Sequence, residues 1–205
     1  MQNILFFGDS LTAGYGLNDP ENESYPALIR QKINILNLPY RVINAGLNGD
    51  TSSRGLRRLD NWLTEPISLF VLELGINDFL RQIPPANTYV NLQAIIERVR
   101  EKYPNAGMAL MGMRLPPFIP GAAAEKFRSM YQKLAEQYRM TFVPFFLEGV
   151  AGKERLNLGD GLHPSSDGYK VIADNVWPAL KSLVYKDMCR FVCSQKCELA
   201  EQSCF

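Results

Sequence analysis

Asn3-Ile4-Leu5-Phe6-Phe7-Gly8-Asp9-Ser10-Leu11-Thr12-Ala13-Gly14 is the stretch on which the fold turns. Ile4 to Phe7 is a short, unbroken apolar run of strand length, and it ends at Gly8. A run without polar alternation is what a strand covered on both faces requires. Asp9 and Ser10 then lie in a turn between two glycines, at the point where a strand hands over to a helix. A strand that opens the chain and feeds directly into a helix is the first unit of a β-α-β series.

The same alternation continues outward from there. Ser24–Leu36 carries Tyr25, Leu28, Ile29 and Ile33 near helical spacing, and Arg41–Ala45 is a second strand followed by the Gly46–Gly49 loop. Thr51 or Ser52 suits the cap of the next helix, which runs to about Leu63. Ser68–Leu74 is the most apolar strand and stops at Gly75. Leu92–Tyr103, starting near Asn87, is a helix, and Gly107–Met113 is a fourth strand. Pro116, Pro117 and Pro120 make Arg114–Gly121 a loop, because proline fits neither a helix interior nor a central strand. Ala122–Tyr138 is a helix, Thr141–Phe146 a fifth strand, and Asp167–Val184 a final helix after the Gly159–Ser166 loop. The expected fold is therefore α/β: a three-layer α/β/α sandwich around a five-stranded parallel sheet of the doubly wound, flavodoxin-like kind. Ligands of such sheets bind beyond the carboxyl ends of the strands. Ser10, the Gly46–Gly49 loop and Asn77 all follow strand ends.

The 205 residues suit one domain with a full core, and the composition is 46% hydrophobic and 21% charged. A net charge of +1 gives no reason to expect nucleic acid or an anionic membrane as partner, and no apolar run is long enough to cross a bilayer. The start of the chain reads as fold and not as a leader. That favours a cytoplasmic protein, with a periplasmic or secreted one trimmed of its leader as the alternative. A monomer is the default expectation. All four cysteines, Cys189, Cys193, Cys197 and Cys204, lie near the C-terminus, so the body, residues 1–185, is expected to fold without disulfides. The tail, residues 186–205, is read as helical. Its cysteines at 189, 193 and 197 would share one face, near Met188 and Val192, and pack as small apolar groups against the body. Their spacing matches no familiar zinc pattern.

Four short segments carry residues suited to chemistry. Ser10 has the exposure a nucleophile needs, although Ser also caps helices often. His163, in Asp160-Gly161-Leu162-His163-Pro164, is the only histidine in the chain, and His is the natural base near neutral pH. Asp160, three residues earlier, can fold its carboxylate onto the imidazole, although all these residues also suit a surface turn. Asn77, in Gly75-Ile76-Asn77-Asp78, could supply a side-chain amide to an oxyanion. Gly49, in Asn44-Ala45-Gly46-Leu47-Asn48-Gly49-Asp50-Thr51, could supply an unobstructed N–H. Both segments also serve as ordinary turn punctuation.

Taken together and in this order, these segments resemble the SGNH hydrolases, also called the GDSL family, of the lysophospholipase/thioesterase/arylesterase type. The matching blocks are Gly8-Asp9-Ser10-Leu11, Gly49 with Asp50-Thr51, Gly75-x-Asn77-Asp78 and Asp160-x-x-His163. The likeness runs from about residue 3 to 184 and includes Met113-Arg114-Leu115-Pro116 and Val143-Pro144-Phe145-Phe146-Leu147, which have no catalytic part. The resemblance implies Ser10 as nucleophile and His163 as base, oriented by Asp160. It implies oxyanion donors at the Ser10 N–H, the Gly49 N–H and the Asn77 amide. Gly46 shares the second block, but the Gly-Asp-Thr register favours Gly49. Ile76 departs from this branch of the family, where Gly is usual. The implied activity is hydrolysis of aryl or short to medium acyl esters, with thioesters and lysophospholipids also in range, and without a cofactor or metal. A carbohydrate O-deacetylase or an inactive binding module on the same fold are the alternatives. Ile76, Phe79, Leu115, Pro116, Phe118 and Ile119 are the residues expected to line an apolar substrate pocket, unless the 115–121 loop merely packs.

Overall fold

The computed structural model describes residues 2–115 and 119–202, with the side chains of the last helix followed as far as Arg190. Five parallel strands form one sheet: β1 (Gln2–Gly8), β2 (Tyr40–Gly46), β3 (Leu69–Glu73), β4 (Gly107–Met111) and β5 (Thr141–Val143). Their spatial order is β2-β1-β3-β4-β5. Ile4 to Phe7 of β1 and Leu69 to Leu72 of β3 are buried along their whole length, as strands covered on both faces must be. Each fully buried Phe or Leu of this kind contributes roughly 1.5–3 kcal/mol relative to exposure.

The helices are α1 (Ser10–Ala13), α2 (Pro20–Glu23), α3 (Tyr25–Ile35), α4 (Ser52–Arg58), α5 (Ile76–Leu80), α6 (Pro85–Lys102), α7 (Ala122–Gln137) and α8 (Ser166–Gln202). Packing of α3 on α8, and of α6 on both α4 and α7, builds the two outer layers of the sandwich. The three short helices α1, α2 and α5 carry too few residues to show a hydrophobic period, and the sequence reading passed over them. The final helix, expected over Asp167–Val184, and the tail, read as a separate helical segment, form one continuous helix from Ser166 to Gln202. No Gly or Pro lies between residues 185 and 202 to stop it.

The start of the tail is tied to the body. The Tyr40 hydroxyl donates to Asp187 at 2.7 Å, and Arg190 donates to the Asn105 carbonyl at 3.3 Å. Met188 packs against the core, whereas Cys189 is exposed. Cys189 therefore does not pack against the body as expected. One residue's turn of the helix puts Met188 inward and Cys189 outward. The side chains of Cys193 and Cys197, and all of Cys204, lie outside the described residues.

Strand order and register together position the site. β1 pairs with β2 and β3 on its two sides, with Gly8 level with both Gly46 and Glu73. The chain passes from β1 to β2 on one side and then crosses back to make β3 on the other side of β1. The carboxyl end of β1 is thus the point where strand order reverses, the usual place for a ligand in such sheets. Gly46 allows α1 to sit this close. A Cβ there would lie 2.2 Å from the Ala13 nitrogen and 2.6 Å from its Cα. Gly46→Ala should lower stability by about 1–3 kcal/mol, the usual cost of overpacking against backbone. A urea midpoint equal to that of the wild type would show that the contact yields more easily than this.

Candidate active site

The turn after β1 is shaped by glycine and by a buried carboxyl. A Cβ on Gly8 would fall 2.0 Å from Thr12 Oγ1 and 2.6 Å from the Glu73 carbonyl oxygen. Asp9, fully buried, caps α1 by accepting the Leu11 N–H at 3.0 Å. Ser10 is therefore the first residue of the helix and not its cap, which frees its hydroxyl for another partner. That partner is His163, whose Nε2 lies 3.0 Å from Ser10 Oγ. His163 Nδ1 lies 2.7 Å from Asp160 Oδ2. With Nδ1–H donating to the carboxylate, Nε2 is left to accept the Ser10 proton.

The loop that carries the base is organised by its own aspartate. Asp160 Oδ1 accepts the backbone N–H groups of Leu162 and His163 at 2.9 and 3.0 Å. Gly161, at φ +67°, makes the tight turn possible. The Leu158 N–H donates to the His163 carbonyl at 2.7 Å, and Asn157 pairs with Pro164. The His163 N–H and ring, with the Leu162 N–H, hold the Asp160 carboxyl down from 3.8 to about 2. The carboxylate thus stays ionised throughout the neutral range. The Tyr15 ring lies against the imidazole, with ring centroids 4.6 Å apart.

The segments after β2 and β3 bring donors to the same place. Gly49 sits at φ +69°, and its carbonyl is held by Arg81 at 2.9 Å. Asn77, in the first turn of α5, donates through Nδ2 to Asp9 Oδ2 and to the Asp50 carbonyl, each at 3.0 Å. The N–H groups of Ser10 and Gly49 have no acceptor among the described residues. They remain available to a bound oxygen.

Side chains that the sequence did not single out hold these segments in place. Asp50 is buried against Arg58, whose Nε lies 2.7 Å from Asp50 Oδ2 and whose Nη2 donates to the Gly8 carbonyl at 2.9 Å. The Arg58 guanidinium also lies over the Phe7 ring at 4.0 Å. Asp78 accepts the Ser52 N–H at 2.8 Å, the Ser52 hydroxyl, and the Thr88 hydroxyl at 3.2 Å, which joins α5 to α4 and α6. Tyr131 donates to the Leu74 carbonyl at 2.9 Å. The only signal of these roles in the sequence was the presence of Asp50 and Asp78 within recognisable blocks.

The expected pocket residues divide. Ile76, Phe79 and Ile119 are partly buried against the core, with Phe79 on the Phe127 ring at 5.2 Å. Leu115 belongs to the core itself. Arg128 draws in the loop by donating to the Leu115 and Ile119 carbonyls. Pro116 and Phe118 lie outside the described residues. Leu80, which with Phe79 was expected beside an apolar acyl groove, is exposed, and sequence reasoning missed Tyr15 and Leu47, two further exposed large apolar side chains on the segments that carry Ser10 and Gly49. Among the described residues, no group of three or more His, Cys, Asp or Glu is arranged to hold a metal ion.

Two expectations follow. Arg58→Met leaves Asp50 buried without its guanidinium and should cost about 3–5 kcal/mol in urea denaturation, the penalty of an unpaired buried charge. Arg54, 3.6 Å from Asp50 and half exposed, should cost far less when changed to Met. An equal loss from the two would show that burial of the ion pair is not what matters. The lowered Asp160 carboxyl stabilises the fold above its ordinary value of 3.8, and that contribution is lost as pH falls through about 2. The stability gap between wild type and Asp160→Asn should stay level down to about pH 4 and close below it. A gap that closes nearer neutrality would contradict the geometry of this loop.

Residues 6–171 match the GDSL-like lipase/acylhydrolase family. The chain is 38% identical to the esterase TesA of Pseudomonas aeruginosa over 184 residues, 89% of this chain and 90% of that protein. It is 38% identical to thioesterase 1/protease 1/lysophospholipase L1 of Escherichia coli over 185 residues, 90% of this chain and 86% of the relative. Among solved structures, the esterase EstA of a Pseudoalteromonas species, inhibited by monoethylphosphonate, superposes with a TM-score of 0.81 at 32% identity, covering 90% of this chain and all of that one. With a family match over residues 6–171 and relatives 38% identical along nearly their whole length, the chain belongs to the GDSL-like lipase/acylhydrolase family.

Proposed function

We propose that the protein is a serine esterase that works through Ser10, His163 and Asp160. The observation that carries this reading is the continuous chain Ser10 Oγ–His163 Nε2–His163 Nδ1–Asp160 Oδ2, at 3.0 and 2.7 Å, assembled from opposite ends of the sequence. Ser10 Oγ attacks the ester carbonyl while His163 Nε2 takes its proton. Asp160, ionised at working pH, holds the imidazole tautomer and stabilises the imidazolium that forms. The carbonyl oxygen gains negative charge and is received by the Ser10 and Gly49 N–H groups and the Asn77 amide. His163 then protonates the departing alcohol. Water, activated by the same imidazole, attacks the acyl-enzyme and releases the acid and free Ser10.

Substrates are aryl and short to medium acyl esters, with thioesters and lysophospholipids as further candidates. Two things support this. The relatives' names include an esterase, an arylesterase and a thioesterase/lysophospholipase. Tyr15, against the His163 ring, and Leu47 and Leu80 are also exposed apolar side chains on the segments that hold the site's polar groups, and we read them as an apolar rim. A rim of single apolar side chains suits an acyl or aryl group better than a sugar, whose hydroxyls need polar partners.

p-Nitrophenyl esters of increasing chain length, assayed beside an acetylated sugar, test the substrate class; preference for the sugar would replace this reading with a deacetylase. Ser10→Ala should lose both turnover and labelling by a fluorophosphonate. Asn77→Ala should lower kcat about a hundred- to a thousandfold with little change in KM, as loss of one oxyanion donor does. Labelling that persists in Ser10→Ala would move the nucleophile elsewhere.

A further inference from the structure

Asn77 presents a problem that the esterase reading leaves open. Both hydrogens of its Nδ2 are already engaged, by Asp9 Oδ2 and by the Asp50 carbonyl at 3.0 Å each. To serve an oxyanion, one must be handed over. The Asp50 carbonyl is a neutral acceptor fixed by the backbone. Asp9 Oδ2 is different, because the strength with which it accepts depends on its charge.

Asp9 does not stand alone. Its carboxyl and that of Glu73, the last residue of β3, are both fully buried, and Glu73 reaches the Asp9 backbone N–H with Oε2 at 3.3 Å, so the two acids are close neighbours. Glu73 Oε2 accepts the Thr12 hydroxyl at 2.7 Å as well as the Asp9 N–H at 3.3 Å, while Glu73 Oε1 has no hydrogen-bond partner among the described residues. No Lys, Arg or His hydrogen-bonds to either carboxyl among the described residues. The nearby Arg58 is committed to Asp50 and the Gly8 carbonyl. The other groups that face the pair are hydroxyls and acids: Thr12 of α1, Tyr25 of α3, Tyr131 of α7, Tyr169 of α8, and beyond them Asp50 and Asp78. Two carboxylates in such a space cannot both be ionised, and the proton they retain belongs to the pair. Burial raises both carboxyls, and the neighbouring Glu73 charge raises Asp9 further.

We propose that Asp9 and Glu73 share one proton, that it rests on Asp9, and that the pair thereby acts as a positioning device that leaves an Asn77 N–H transferable to the oxyanion. A neutral Asp9 carboxyl orients the amide through a weak hydrogen bond. It releases that bond when a fully charged oxygen forms, and it places no negative charge beside that oxygen. Glu73 is the ionised member, one step further from the reaction. When alkali removes the shared proton, Asp9 becomes a carboxylate, grips the amide and opposes the oxyanion. The loss falls on kcat and spares KM, because the ester in its ground state carries no charge.

The proposal rests on the oxyanion role given to Asn77. It is tested by kcat and KM across the neutral and alkaline range for wild type, Asp9→Asn, Glu73→Gln and Asn77→Ala, together with the infrared spectrum of the wild type at neutral pH. The spectrum should show the C=O stretch of a protonated carboxyl, and Asp9→Asn should remove it. Glu73→Gln leaves Asp9 as the ionised member and should lose about tenfold in kcat at unchanged KM, a part of what outright loss of a donor costs. Asp9→Asn keeps a neutral group against Asn77, so it should lose less and its alkaline decline should vanish. Absence of the carboxyl band in the wild type overturns the proposal, whether or not the variants fold. So does an Asp9→Asn loss as large as that of Glu73→Gln with an unchanged alkaline limb. A full-speed Asn77→Ala enzyme instead overturns the oxyanion reading beneath it, and the infrared band reports on the pair independently of that.

Discussion

The buried carboxyl of Asp9 is the contact on which the arrangement around Ser10 depends. It caps α1, accepts the Asn77 amide and faces Glu73, all without exposure to water. One side chain therefore joins the turns after β1 and β3, which carry Ser10 and Asn77. Leaving a buried hydrogen-bonding group unsatisfied costs roughly 1–3 kcal/mol, so moving either turn alone is costly. The level strand ends at Gly8, Gly46 and Glu73 make this reach possible, and the small residues there allow the backbones to meet.

The same device recurs at the neighbouring segments. Asp50 locks the loop after β2 through Arg58, and Asp78 locks α5 to α4 and α6 through Ser52 and Thr88. Loops at the rim of a sheet are ordinarily its mobile parts. Here each is fixed by a carboxyl that would be expensive to leave unpaired. The segments after the three strand ends are thus held in fixed relation to one another by buried hydrogen bonds.

The His163 loop is built on the opposite plan. Asp160 is largely exposed and binds only its own loop, through two backbone N–H groups and the imidazole. Toward the nucleophile side, the loop meets Ser10 by one hydrogen bond and the Tyr15 ring by one stacking contact. A locally self-sufficient loop can present a base correctly without a large buried interface. Tyr15, Leu47 and Leu80 are exposed apolar side chains on the segments that carry Ser10, Gly49 and Asn77, and Tyr15 lies against His163.

Much of this was determined by the sequence alone. The unbroken apolar runs of β1 and β3 dictated strands covered on both faces, and helix-length connections dictated a parallel sheet. The lone His163, with Asp160 three residues before it, was legible because a carboxylate at that spacing reaches its own loop's N–H groups whatever the rest of the chain does. Periodicity and turn chemistry act over a few residues, so they can be read from a few residues. The tertiary structure alone decided that Asp9 and not Ser10 caps the helix, that Leu115 enters the core, and that Cys189 faces outward. It alone brought Glu73 to Asp9, Arg58 to Asp50 and Ser10 to His163, pairs that a window of local sequence cannot see. A buried charge requires a partner, but only the packed fold determines which of many eligible side chains reaches it.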